Sequence, residues 1–381
     1  MIINGNRPRI GILGSGQLAK MMAQAAAQLG CNVKVLALRE SEEPLWGWLV
    51  TVGDWNDPDT LIAFAEDTDV VTLENEFIEC DALAELEAAG YAVSPPAACI
   101  ALVQDKLVQK QTLAAAGLPI AAFRAVNTPE DIVDAAADWN WPIVLKRRKL
   151  GYDGKGNATL RSAADIPLAW ERLGGGAHAL YVEQYCAFER ELAIMVTRGK
   201  AELVTYPVVD TVQRDHICHT VVAPSRIDAD ASAAAADIGR RAVEAIGAIG
   251  SVGVEMFLMP DGRILVNELA PRVHNSGHYT IEACHCSQFE NHIRAILGWP
   301  LGSPALRAPA AAMVNLLGAA DGPAMPGGLD QALAVSGAHI HIYGKARSVK
   351  GRKMGHVTAL GATADEALSI ATRAASALRF G

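Results

Sequence analysis

Residues 252–275 read VGVEMFLMPDGRILVNELAPRVHN, and the fold turns on how this stretch pairs with itself. An apolar run, then Asp261-Gly262, then a second apolar run predicts a hairpin. A two-residue primed turn needs positive φ at both central residues, which Asp-Gly supplies. Pairing outward from that turn sets Met259 opposite Ile264, Phe257 opposite Val266 and Glu255 opposite Glu268. Opposed residues share one sheet face with Cβ atoms about 4.5–5.5 Å apart, and two carboxylates so placed repel. Either the strand ends splay into water or a cation sits between the acids. Hard, all-oxygen coordination suits Mg2+, which usually arrives with substrate phosphates. Directly after the second strand, Pro271 to His278 gathers Arg272, His274, Asn275 and His278 in a loop. Strand-end loops are where function concentrates, and a guanidinium there can grip a carboxylate or phosphate with its planar fork.

The 381 residues leave room for two or three domains, and a chain that is 51% apolar and 20% charged is globular in composition. A net charge of −9 and a pI near 5.6 argue against a general nucleic-acid binder. An anionic small substrate would have to be met by local positive charge. No apolar run is long enough to span a bilayer, and the N-terminus enters a strand without a signal-peptide pattern. Seven scattered cysteines suit a reducing compartment, so a cytoplasmic protein is expected. Cys284-His285-Cys286 lacks a second pair at ligand spacing and reads as packing.

From the N-terminus, Arg9–Leu13 reads as a buried strand and Gly14-Ser15-Gly16-Gln17-Leu18-Ala19 opens a helix running to Leu29, before a strand at Val33–Leu38. This G-x-G-x-x-A turn has the form of a dinucleotide fingerprint, in which glycines let a phosphate approach a helix N-terminus. The acidic residue that should close the second strand is missing; Ala37, Leu38 and Arg39 stand there. An NAD(P)-dependent oxidoreductase is therefore the reading from another class, and any phosphate or polar ligand could use the turn. Helices at Leu61–Glu66 and Ala82–Ala89 alternate with strands at Val70–Leu73 and Tyr91–Val93. Glu74-Asn75-Glu76, at a strand's carboxyl end, suits either the ligand crevice of an open α/β sheet or a solvated loop. Ser94-Pro95-Pro96 punctuates the chain, and a domain boundary is placed near residue 103.

Gln104–Ala116 reads as one helix, with Lys106 in the first turn, where a cation opposes the helix dipole and implies a partner anion. The strand Trp141–Lys146 runs into basic residues and then the loop Gly151-Tyr152-Asp153-Gly154-Lys155-Gly156-Asn157. Its glycines make it pliable, so its amides can wrap phosphates, although it is not a Walker A sequence. A basic hairpin tip would carry the same residues. Leu180–Tyr185 reads as an edge strand able to offer its amide and carbonyl to an adenine, with a nearby carboxylate for ribose hydroxyls. Strands at Glu191–Val196 and Ala201–Val208, a helix at Ile238–Ile246, the closing hairpin and a helix at Glu282–Leu297 follow. After a crossing segment at Leu301–Pro309, strands at Met313–Leu317 and His339–Tyr343 precede Lys345, Arg347, Lys350, Arg352 and Lys353. Such a basic cluster in an acidic chain suits a phosphate grip or a solvated turn.

Nearly end to end the chain resembles the N5-carboxyaminoimidazole ribonucleotide synthetases, ATP-grasp ligases of purine biosynthesis. The most specific pieces are Asn267-Glu268-Leu269-Ala270-Pro271-Arg272-Val273-His274-Asn275-Ser276-Gly277-His278, the loop Gly151–Gly156, and Gly351-Arg352-Lys353-Met354-Gly355-His356. Ala270 holds a position that is Asn in the wider superfamily, Gln213 stands where many members have His, and Asn157 where Gln is frequent. The resemblance implies an α/β and α+β, ATP-grasp fold. Residues 1–103 would form an open α/β, Rossmann-like domain, and residues 104–300 the ATP-grasp domain with a lid at about 120–180. Residues 301–381 would form a small β-rich module.

It also implies that ATP phosphorylates bicarbonate to carboxyphosphate, whose carbon dioxide is captured by the amine of aminoimidazole ribonucleotide inside a closed site. Lys106, Lys146, Gly151, Tyr152, Asp153, Gly154, Lys155, Gly156 and Asn157 would then hold the ATP phosphates. Glu183, Gln184, Tyr185 and Cys186 would meet the adenine, Glu191 the ribose, and Asn267 would join the ATP site. Glu255 and Glu268 would bind Mg2+. Arg272, His274 and Asn275 would orient bicarbonate, and Asp153 would receive the substrate amine beside Tyr152. Lys345 and Arg352 would take the 5′-phosphate, while Gly14, Gly16, Gln17, Leu18 and Glu74 or Glu76 would line the same pocket. A homodimer is implied as well. The same motifs leave room for a formate-using glycinamide ribonucleotide transformylase of the same superfamily, or for a non-catalytic nucleotide-binding scaffold.

Overall fold

The computed structural model describes residues 6–38, 48–151, 156–214 and 216–381. Its first sheet holds β1 (Arg9–Leu13), β2 (Asn32–Ala37), β3 (Leu49–Val52) and β4 (Val70–Leu73), all parallel in the order β3-β2-β1-β4. Helices α1 (Gln17–Gln28), α2 (Pro58–Ala65) and α3 (Cys80–Ala88) cross between or beyond these strands, as parallel pairing requires. The buried face of α1 carries Ala19, Met22, Ala23 and Ala26, a helical repeat of small and flexible side chains. The expected strand at Tyr91–Val93 is only a single bridge, Val71 to Val93.

The expected helix Gln104–Ala116 is two helices, α4 (Ala97–Gln104) and α5 (Lys106–Ala115). Asp105 between them is extended and caps α5, accepting from the amides of Leu107 (3.0 Å) and Val108 (3.3 Å). Arg148 pins the same carboxylate at 2.6 and 3.0 Å. A second, antiparallel sheet comprises β5 (Phe123–Val126), β6 (Ile143–Arg147), β7 (Asn157–Leu160) and β8 (Leu180–Gln184) in the order β5-β8-β6-β7. Helices α6 (Pro129–Trp139) and α7 (Ile166–Leu173) share its core. Thus β8 lies inside the sheet and not at an edge; only the unpaired residues after Gln184 can offer backbone groups to a ligand.

The third sheet is the long one. It holds β9 (Arg190–Arg198), β10 (Leu203–Thr205), β11 (Val209–Arg214), β12 (Ile217–Ala223), β13 (Gly250–Leu258), β14 (Ile264–Ala270) and β15 (Ala310–Leu317). After β16 (Gly322–Pro323), β17 (Ala338–Ile342) and β18 (Arg347–Ser348), β19 (Lys353–Gly361) completes the strands. The main path runs β14-β13-β9-β11-β12-β15-β19-β17, so the C-terminal strands continue the sheet that carries the hairpin. Helix α8 (Ala229–Ala245) covers the hairpin end, with Ala235, Ile238, Ala242 and Val243 buried. The expected helix 282–297 breaks into α9 (Thr280–Ala283) and α10 (Gln288–Leu297), because Ser287 caps α10 through the amide of Glu290. After α11 (Leu329–Leu333), α12 (Ala364–Ala377) packs on β15 and β19. No helix among the described residues is long and apolar enough to cross a membrane.

Candidate active site

The hairpin differs from its predicted register and still delivers the predicted pair. The loop holds three residues, Pro260-Asp261-Gly262, with Met259 N–H donating to Arg263 O (2.8 Å) and Gly262 in the left-handed region at φ +83°. Phe257 therefore faces Leu265, and Met256 faces Val266, each one residue short of expectation. A bulge between Glu255 and Met256 then leaves Asn267 extra and restores the count, so Glu255 opposes Glu268. The two carboxylates line a cleft of about 660 Å³.

Burial and the facing Glu268 push the Glu255 carboxyl up to about 8. Burial acts on Glu268 in the same sense, but the ammonium of Lys106 wins and holds it low. Lys106 forms an ion pair with Glu268, which is the partner anion its place at a helix start implied. Neighbouring acids of opposite protonation tendency in a cleft mark a site built to hold positive charge.

The wall above is formed by lysines. Lys146 on β6 and Lys110 on α5 reach Glu183 at 2.5 and 3.0 Å, and all three side chains are largely buried. Burial raises the Glu183 carboxyl, yet Lys146 and Lys110 bring it down to about 2. Its carboxylate thus orients two ammonium groups at the wall of the cleft, which Glu183 itself helps to line. Lys110 was missed from sequence, although it lies four residues from Lys106 on the same helix face. Gly151, Gly156, Asn157, Gln184, Tyr185, Cys186, Glu191 and Asn267 also line the cleft, and Phe188 stacks on Phe257 at 4.6 Å to make an apolar wall. Tyr152, Asp153, Gly154 and Lys155 lie outside the described residues.

Beyond the carboxylates, Arg272 grips Glu76 through two bonds, Nε to Oε2 (2.5 Å) and Nη2 to Oε1 (3.1 Å). This ties the first domain to the loop after β14. His274 places Nε2 3.6 Å from Glu255 and Nδ1 2.9 Å from Ser276 Oγ, and burial with nearby Arg272 lowers it to about 3, so the ring is neutral. Asn275 exchanges amide bonds with Asn315 of β15 at 2.6 and 3.0 Å. His278 of the strand-end loop, Lys353 of the basic cluster, Gln213 and His216 line the cleft as well, and sequence reasoning assigns none of the four a specific ligand contact.

The glycine-rich turn already holds a carboxylate of the chain itself. Gly16 N–H donates to Glu74 Oε1 (2.6 Å) and Ala19 N–H to Glu74 Oε2 (3.0 Å). A Cβ added at Gly14 or Gly16 would collide with the Glu74 side chain. The helix N-terminus is filled by the chain's own anion, which leaves no place for a dinucleotide pyrophosphate. Gln17, Leu18 and Glu76 line the cleft, whereas Gly14, Gly16 and Glu74 are not among its lining residues. Lys345 and Arg352 are not among the cleft-lining residues either. Lys345 is buried just after Tyr343, whose carbonyl accepts from Lys20 Nζ (3.0 Å), and Arg352 donates to Arg347 O (3.3 Å).

Family models match three successive stretches: the ribonucleotide synthetase preATP-grasp domain at residues 8–104, the ATP-grasp domain at 111–289, and the phosphoribosylaminoimidazole carboxylase C-terminal domain at 311–370. The N5-carboxyaminoimidazole ribonucleotide synthase of Synechococcus elongatus is 42% identical over 92% of this chain and 88% of its own length. A carboxyaminoimidazole ribonucleotide synthase from Aspergillus clavatus, solved with ATP, superposes with a TM-score of 0.89 at 35% identity, covering 98% of this chain and 99% of that one. The Aspergillus clavatus enzyme solved with ADP and 5-aminoimidazole ribonucleotide gives 0.88 at 35% identity, over 97% and 98%. By sequence, fold and the composition of its cleft, the chain belongs to the ATP-grasp family of N5-carboxyaminoimidazole ribonucleotide synthases.

Proposed function

We propose that the chain joins bicarbonate to the amine of 5-aminoimidazole ribonucleotide with hydrolysis of ATP, giving N5-carboxyaminoimidazole ribonucleotide, ADP and phosphate. The observation that carries the site assignment is the opposed pair Glu255 and Glu268 on the floor of a cleft lined by Lys106 and Lys146, with buried Lys110 behind them on Glu183. Phosphoryl transfer asks a protein for positioning and charge more than for covalent chemistry, and this cleft supplies both. Lys106 and Lys146, with Gly151 to Asn157, hold the triphosphate. Glu183 to Cys186 meet the adenine, Tyr185 and Cys186 with backbone outside the strand ladder, against Phe188 and Phe257, and Glu191 and Asn267 lie at the ribose side.

The donor set fits Mg2+. Glu255 and Glu268 offer carboxylate oxygens from facing strands, and the raised Glu255 carboxyl reports an anionic charge that lacks a full counterweight. When bound, the ion would neutralise phosphate charge during transfer. The remaining work falls to the chain's own groups. Arg272, fixed by Glu76, and neutral His274 and Asn275 orient bicarbonate so that one oxygen attacks the γ-phosphorus as ADP leaves. Carboxyphosphate then divides into phosphate and carbon dioxide, and the ribonucleotide amine adds to the carbon dioxide and gives up a proton, with Asp153 and Tyr152 beside it. Exclusion of water protects both short-lived species. Lys345 and Arg352 take the 5′-phosphate; Gln17, Leu18 and Glu76 border the ribonucleotide from the first domain.

We further propose a cytoplasmic homodimer divided near residues 103 and 300. The seven free cysteines support a reducing compartment, and sedimentation tests the stoichiometry. The activity is tested by phosphate release from ATP with the ribonucleotide and bicarbonate supplied or withheld. Turnover needing both is expected; turnover indifferent to the ribonucleotide removes this reading.

A further inference from the structure

Away from the phosphate-binding lysines, Glu282 of α9, His341 of β17 and His356 of β19 each bring one donor atom to within 4.8 Å of the other two. Strand register explains the meeting. His341 sits directly opposite His356, and their rings stack 4.3 Å apart at 9°. Glu282 reaches in from the other side, with Oε1 2.7 Å from His341 Nε2. The His356 ring is fully buried and is held by the Tyr343 hydroxyl at Nδ1 (3.0 Å). That leaves His356 Nε2 buried without a partner, and Glu282 Oε2 is in the same condition. Buried polar atoms are nearly always satisfied, so two orphans beside one another call for an occupant.

We propose that Glu282, His341 and His356 form a divalent metal site of the zinc type, with its fourth position open to water. Two imidazoles and a carboxylate are borderline donors of the kind zinc takes at sites with three protein ligands. Bonds of about 2.0–2.1 Å hold tetrahedral donors about 3.4 Å apart, so on loading the Glu282–His341 pair opens from 2.7 Å while His356 draws in from within 4.8 Å. The Tyr343 contact at Nδ1 is the outer hydrogen bond that turns Nε2 toward a metal. Such an ion would join α9, just downstream of the loop bearing Arg272, to the two outermost strands of the long sheet. The site is separate from the carboxylate pair of the cleft, and the inference does not depend on which reaction the cleft performs.

The full chain, stripped with a chelator and supplied with excess Mg2+ and ADP to fill the cleft, is titrated with zinc by calorimetry. One ion per chain with a dissociation constant below about 10 µM is expected, together with a rise in Tm. Cobalt(II) in place of zinc should give the intense visible spectrum of a tetrahedral site. Glu282→Gln, which keeps the side-chain volume, and His341→Ala should each weaken zinc by about tenfold or more and bleach the cobalt spectrum. The absence of saturable binding overturns the proposal and leaves water as the occupant. Unchanged binding and spectrum in Glu282→Gln, folded as judged by circular dichroism, overturns it too and assigns the metal to other histidines or cysteines.

Discussion

Two neighbouring acids of the cleft floor should respond to mutation in different ways. Glu268→Ala removes the partner of Lys106 and an oxygen donor, so turnover should fall about 10³-fold or more while circular dichroism stays unchanged; near-normal rates would refute the assignment. Glu255 gives a pH signature. Its carboxyl is raised from 4.5 to about 8, so the folded chain favours the protonated form. Stability from this group is present below about pH 4.5 and is lost as pH rises through about 8. Ligand-free Glu255→Gln should therefore gain roughly 1–3 kcal/mol on the wild type across that window, read as a difference in Tm against pH. Lys345→Ala should raise KM for the ribonucleotide at least about tenfold with little change for ATP; equal effects would mean the phosphate is held elsewhere. At this scale the sequence showed which charged residues mattered better than what they touch. Glu74 and Glu183 stood out as acids near a site, but their partners lie far along the chain, and a lone sequence does not say that Gly16 or Lys110 will reach them first.

Among the elements, the hairpin shows why local reading succeeds and where it stops. The alternation of apolar residues and the Asp-Gly pair located two strands and their turn, since both signals act within a few residues. The loop length and the bulge at Asn267 left no such mark, and the correct pairing of Glu255 with Glu268 arose because two one-residue errors cancelled. The breaks at Asp105 and before Ser287 were missed for a related reason: each depends on a cap, and Asp105 is further held by Arg148 from another sheet. The bulge can be tested directly. Deleting Asn267 removes the extra residue and leaves Met256–Val266 and Glu255–Glu268 as successive pairs of a regular ladder, so the acid pair should persist. The variant should stay folded by circular dichroism, with stability changed by no more than about 1–3 kcal/mol; an unfolded deletion variant would show that the bulge itself, and not only the pairing on either side of it, is needed.

At the scale of the whole molecule, the C-terminal module is joined to the rest by strand pairing. Pro- and Gly-bearing residues 301–309 read as a crossing segment before that small module. Strand pairing across long stretches of chain carries no local signature, so nothing announced that β12 would take β15 as its neighbour, or that β19 and β17 would extend the same sheet. A chain ending at residue 300 should accordingly be recovered as aggregate, since it bares the outer edge of β12 and the Cys218 carbonyl that Asn315 serves; a soluble, monodisperse fragment would contradict this. The same pairing bears on synthesis. β12 leaves the ribosome nearly a hundred residues before β15 does, an interval of roughly 5–20 s at ordinary elongation rates. Through that interval the nascent polypeptide displays an open strand awaiting its mate, which makes holding chaperones and slow codons in this region natural levers on yield.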